Sequence, residues 1–440
     1  MASYASYRNL NSSKMSKIKF ELHLLSGNSL VNVKSSQKAN QNIMPELEEF
    51  AEALLDQLAV EINEEREISE LALRIAEDSK FTVKFDDLEK ICSGIFPQMA
   101  QKVNEFFGIS ILPVLRLEYL ELKEFKKMKG RKVFSSDDAR TFVDELFDAV
   151  ANEDVKKIAG LIKKDPAKFL VYSTYAKSYI SKISTTYGDF LDSAIYLNKF
   201  ILGSYTQIIL YKHGQPYESK FDSVKSGYNG ALKMTILEEQ IHSLQQNLHD
   251  INKKAVIQVN AINEELAKII LGLDDFTANE LTEYLRLQPV PDDFPTAKRA
   301  NLFFMLNPDN FIVSVLGPDV MTFNKVEVDP KISEMVPQLL DIYQRWLKPI
   351  QTHHAAFTTM EGMAEFAVQN ILKDDADFQN YLSTFMGTDF SSYRVRKSMG
   401  KDFTKEIFEK HGKETFKMLI ENPPSTLELK DPQRYLKRFK

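Results

Sequence analysis

Apolar side chains recur at intervals of three and four beyond residue 231: Leu237, Ile241, Leu244, Leu248, Ile251 and Ala255, then Val259, Ile262, Leu266 and Ile269. That spacing keeps them on one face, so 231–271 predicts a long helical seam with Gly272 as its stop. Similar spacing predicts helices over 45–78, 86–107, 136–162, 166–183, 332–347, 359–372 and 403–421. Gly108 supplies a stop for the second of these, and Ser136-Asp137-Asp138 an opening cap for the third. Alternation predicts extended chain at 17–25 and 111–121, with a β or irregular region around 311–315 and 320–328. Asp192-Ser193 is turn chemistry in front of a β-prone run, Ala194-Ile195-Tyr196-Leu197-Asn198. Gly130-Arg131-Lys132 reads as an exposed turn. Helix dominates, and the expected fold class is α+β, mainly helical.

Composition narrows the classes. The 440 residues carry 43% hydrophobic and 27% charged side chains, enough for a sizeable core. A net charge of −6 gives no general attraction for nucleic acid, and none is expected as a partner. The exception is 393–440, where Lys and Arg exceed Asp and Glu by six; their interleaving reads as a solvated helix face. One cysteine, Cys92, excludes a disulfide framework, and its neighbours Leu88, Ile91, Ile95 and Phe96 read as core. No run approaches the ~18 apolar residues of a membrane span, and the first residues lack the apolar centre of a secretory signal. A cytoplasmic protein with no membrane partner is expected.

Phosphate-loop, dinucleotide, Gly-x-Ser-x-Gly and kinase patterns do not occur in the sequence. Of the seven histidines, His242 has the most informative surroundings. Glu238 and His242 are four residues apart and so stack on one helix face, with Glu239 one position round. The stripe Glu238, His242, Gln245, His249 borders the apolar seam, a semi-buried place where carboxylate and imidazole need a partner or a metal.

Glu238-Glu239-Gln240-Ile241-His242 resembles the His-Glu-x-x-His helix of zincin metallopeptidases, with Glu238 at the first ligand position. The Ala194–Asn198 run resembles the strand preceding that helix at the upper edge of the cleft. Met360-Glu361-Gly362-Met363-Ala364-Glu365-Phe366 resembles the gluzincin helix whose first Glu is the third ligand. The resemblance implies a peptide-bond hydrolase acting on a peptide or protein substrate. A divalent metal, zinc by preference, would be held by Glu238, His242 and Glu361. Glu239 would serve as general base, and His353 or His354 would steady the oxyanion. Two departures weigh on it: a carboxylate replaces the first imidazole, and 119 residues separate His242 from Glu361. With two carboxylate ligands the centre could be attenuated or inactive. The metzincin branch is excluded because its third histidine would fall at Leu248, while His249 is a conceivable fourth ligand.

The organisation implied is a disordered tail (1–15), an N-terminal strand and helical region (16–80), a zincin-like domain (81–390) and a basic helical C-terminal tail (391–440). The zincin-like domain would carry a small edge sheet and a helical insertion at about 247–348. Plainer readings stand beside each residue. Glu238 and His242 pair as i,i+4 neighbours on a scaffold helix. Glu361 and Glu365 are first-turn acids capped by Thr358 or Thr359. His353-His354 are loop or cap residues. Glu239-x-x-His242 also matches half of a di-iron bundle site, but no second Glu-x-x-His occurs. The remaining class is a non-enzymatic helical scaffold with a degenerate metal site.

Overall fold

A computed structural model describes residues 85–110, 115–133, 137–152, 154–173, 186–200, 221–287, 298–308, 326–385 and 392–439, with the single positions 70 and 202. The strand expected at 17–25, most of the helix at 45–78 and the stretch 311–325 lie outside these residues. The described chain is mainly helical, with one small sheet. No helix among the described residues is long and apolar enough to cross a membrane.

Helix α1 (Phe85–Phe107) ends at Gly108, which takes a left-handed φ of 68° that few side chains tolerate. Strand β1 (Arg116–Leu120) leads into α2 (Leu122–Val133), so Gly130-Arg131-Lys132 is helical and not a turn. Helices α3 (Asp137–Ala151) and α4 (Val155–Lys164) divide the single helix expected there, and Asp154 caps the second through Lys157 N–H. Strands β2 (Gly188–Leu191) and β3 (Ala194–Asn198) form a hairpin across Asp192-Ser193, whose φ values of 48° and 66° match a tight primed turn. The sheet order is β1-β3-β2, with β3 parallel to β1 and antiparallel to β2. The Ala194–Asn198 strand is therefore central, and the expectation of an edge strand there is corrected: β2 lies at the edge beside it.

Helix α5 (Phe221–His242) begins earlier than its apolar seam, and α6 (Gln246–Leu271) follows after a short break at 243–245. Helices α7 (Asp275–Tyr284), α8 (Lys298–Leu306) and α9 (Pro330–Met335) lead to α10 (Leu339–Ile371), 33 residues long. The two helices expected at 332–347 and 359–372 are thus joined. Pro349 removes one backbone donor from α10, yet Trp346, Ile350, Ala355 and Ala356 are buried on either side of it, and this packing carries the helix through. His353-His354 are consequently mid-helix residues, and Glu361 and Glu365 are not first-turn acids. Helices α11 (Ala376–Phe385), α12 (Ser392–His411), α13 (Glu414–Glu421), α14 (Thr426–Lys430) and α15 (Pro432–Lys437) complete the order.

Among the described residues two large apolar cores result, beside a small cluster around Phe125 and Met128. One gathers α3, α4, residues 167–172, the later part of α6, α7 and α8, and α10 up to Ile350. The other gathers α1, the sheet, α5, Leu248 and α10 from Ala355 onward, with Phe403, Ile407, Phe416 and Tyr435 of the C-terminal helices. The basic segment is therefore packed through its apolar side chains into the second core. Helix α12 crosses α10 closely: a Cβ on Gly400 would lie 2.0 Å from Thr358 O, and one on Gly362 would lie 2.1 Å from Gly400 C. Only glycine fits at this crossing.

Candidate metal centre

The polar residues of the second core converge at the end of α5. Ligand atoms of Glu238, His242 and Glu361 lie within 4.8 Å of one another, with His242 Nε2 3.8 Å from Glu361 Oε1. Helix periodicity stacks the first two, and α10 delivers the third across 119 residues of sequence.

The orientation of His242 is set by Gln245, a residue the sequence singled out only as part of a polar stripe. Gln245 Nε2 donates to Met360 O at 3.1 Å, so its Oε1 faces His242 Nδ1 at 2.7 Å. That oxygen can only accept, which places a proton on Nδ1 and leaves Nε2 facing Glu361. Gln245 begins α6 without a side-chain cap bond because its amide is engaged here. The bend at 243–245 thus does two jobs: it ends α5 after His242 and turns Gln245 back upon it. The same amide joins α5 to α10 through Met360.

Helix α12 brings a cation that the sequence did not point to. Lys397 Nζ donates to Glu238 Oε1 and lies 3.7 Å from Glu361 Oε2 and 3.6 Å from Glu365 Oε2. Glu238, Glu361 and Lys397 side chains are 14–16% exposed, so these charges act in a medium of low dielectric. A second ammonium, Lys129, pairs with buried Asp189 of β2. Burial alone would lower its pKa, but Asp189, with Glu239 and Glu361 beyond, raises it above the ordinary lysine value. Strand β2 lies along this region: Gly188 packs on Thr235, one turn before Glu239, and the Phe190 ring lies 6.1 Å from that of His249. Lys397 and Lys129 face carboxylates here (Glu238, Glu361 and Glu365 for the first, Asp189 for the second), and the convergence of the Glu238, His242 and Glu361 ligand atoms fits a divalent cation.

The other named residues are placed differently. Glu239 is buried at 7% exposure, one position round from Glu238. His249 is not gathered with the three ligand atoms; its Nε2 is 3.2 Å from His242 O. His353 and His354 precede Glu361 by about two helical turns, roughly 10–12 Å along the axis. His353 Nδ1 meets Asn252 Oδ1 at 2.6 Å, and Arg396 Nη1 donates to His354 Nδ1 at 2.8 Å. They pair with Asn252 and Arg396 and are not among the three residues whose ligand atoms converge. Cys92 is fully buried and its thiol is pushed up to about 12, chiefly by burial, so it is no nucleophile at neutral pH.

These histidines give the protein an acid sensitivity. Burial, then Arg396, pushes His353 down to about 3, and the same causes with His353 itself hold His354 well below its ordinary value. The unfolded chain binds these protons first, so stability is present above about pH 6.5 and declines as pH falls toward the folded values. The expected slope is at most about 1.4 kcal/mol per pH unit for each histidine. Thermal melts between pH 7 and 4.5 should show it, and His354→Gln should flatten the curve. An unchanged melting temperature across that window in the parent protein would rule this out.

This is a carboxylate–imidazole–carboxylate centre built on two helices, with ammonium groups around it. No model of a known protein family matches the chain, and no curated protein matches it in sequence. Among solved structures, the chain is similar to a Chloroflexus aurantiacus protein described as a "putative hydrolase with a novel fold". The match has a TM-score of 0.34 and 11% identity, and covers 85% of this chain and 97% of that one. A likeness at that score does not establish a shared fold.

Proposed function

We propose that this protein is a metal-dependent hydrolase of peptide bonds, with Glu238, His242 and Glu361 holding a divalent ion. Zinc is the ion the imidazole favours. The reading is supported above all by the Gln245 bridge, which orients His242 so that Nε2 faces Glu361 Oε1. When bound, the ion would supply Lewis acidity, sharpening the acidity of a water and polarising the scissile carbonyl. Glu239 takes the proton as the water oxygen bonds to the carbonyl carbon. It then delivers that proton to the amine nitrogen as the C–N bond breaks. Strand β2, as the sheet edge beside α5, is the element along which an extended peptide would lie.

Calorimetric zinc titration tests the reading directly. One zinc per chain is expected, with affinity weakened at least about 100-fold in His242→Ala because one of three ligands is lost. Cleavage of an unfolded polypeptide by the zinc-loaded protein is the accompanying assay. A second reading has its own support: Lys397 already gives Glu238, Glu361 and Glu365 a cation. If neither protein takes up zinc, the cluster is an ion-pair network joining α5, α10 and α12 in a scaffold.

A further inference from the structure

We infer that Lys397 is the built-in counter-cation of this centre, forming with Glu238 a pair that stands in charge for the missing first histidine. The inference rests on the metal reading above. Glu361 presents its two oxygens to different partners: Oε1 faces His242 Nε2 at 3.8 Å, and Oε2 faces Lys397 Nζ at 3.7 Å. Glu238 likewise gives Oε1 to Lys397. The ammonium and the imidazole therefore engage different oxygens of Glu361.

Counting the three ligand residues alone, Glu238, His242 and Glu361 carry a formal −2 and Lys397 offsets one of those charges, giving the charge of two imidazoles and one carboxylate; Glu365, 3.6 Å from the same ammonium, stands outside that set. A carboxylate bound to an ammonium also donates less strongly than a free one, which moves Glu238 toward an imidazole in ligand character. The lysine is held in register: Gly400, three residues on, is seated against Thr358 and Gly362 of α10. Lys397 is a positioning residue in this scheme, acting on the ion through Glu238 and Glu361.

The consequence runs against a purely structural role. Removing an ammonium that is paired with two of the ligand carboxylates should strengthen binding of a divalent ion by about tenfold or more even with the screening of water. Zinc titration of the wild type, Lys397→Met and Lys397→Arg reads this. Lys397→Met should bind zinc at least about tenfold more tightly, and Lys397→Arg should return to the wild-type affinity. If Lys397→Met fails to fold, Lys397→Gln, which keeps a hydrogen-bond donor without the charge, should show the same gain. Equal or weaker binding by the neutral variant, with the wild type still binding zinc, overturns the role of Lys397 and leaves the metal centre standing. No zinc uptake by any of them overturns both.

Discussion

Glu239→Gln should lower cleavage of an unfolded polypeptide by about 10²–10⁴-fold while zinc is still taken up and the melting curve is little changed. The amide is nearly isosteric with the carboxylate but cannot accept the proton of the attacking water. Glu239 is buried next to Glu238, and its carboxylate is one of the groups that raise the pKa of Lys129. Three measurements on one preparation separate the outcomes: zinc content, melting temperature and turnover. Turnover at the parent rate would show that Glu239 is not the base. Loss of turnover together with loss of zinc would make it a support of the ligands instead.

Gly400→Val should cost more than about 3 kcal/mol. Its Cβ would lie 2.0 Å from Thr358 O and it abuts Gly362, so backbone faces backbone and no flexible side chain can yield. The helices can only move apart. Because Lys397 lies one turn before Gly400 on α12, that separation also draws the ammonium from Glu238 and Glu361. Chemical denaturation should show a lower midpoint, and zinc affinity should change with it. A midpoint within experimental scatter of the parent would mean that α10 and α12 do not cross so closely in solution. Gly94, where an added Cβ meets nothing within 4 Å, is the matching control.

Some of this was legible in the sequence. The spacing of Glu238 and His242 has only one geometric meaning on a helix, and the Glu-Gly-x-Ala-Glu-Phe run pointed to Glu361 as the distant third member. The Asp192-Ser193 turn and the strand after it were equally local signals, since turn chemistry acts over two residues. What failed was non-local. The stretch between the helices expected at 332–347 and 359–372, with His353-His354 in it, looked like a loop, but that break was overridden by apolar residues on both sides whose partners come from two separate cores. Lys397 sat in a run of alternating charge, which reads as a solvated face until the Gly362–Gly400 crossing turns that face inward. Gln245 carried no signal as an orienting group, because its two partners, one of them the backbone oxygen of Met360, are fixed only by the fold. The strand order was likewise hidden: β1 reaches β3 from more than 70 residues away.

Helices α6 and α10 each contribute side chains to both cores: Leu248 to one and Val259–Leu271 to the other, Leu339–Ile350 to one and Ala355–Val368 to the other. Neither core can melt alone without stripping apolar contacts from a helix that the other still needs. Opening of one half therefore raises the free energy of the remaining half, and the two should exchange their slowest amide hydrogens with a common protection. Urea should reveal one sigmoid with coincident fluorescence and circular dichroism, even though Trp346, the single tryptophan, reports from only one of the two cores.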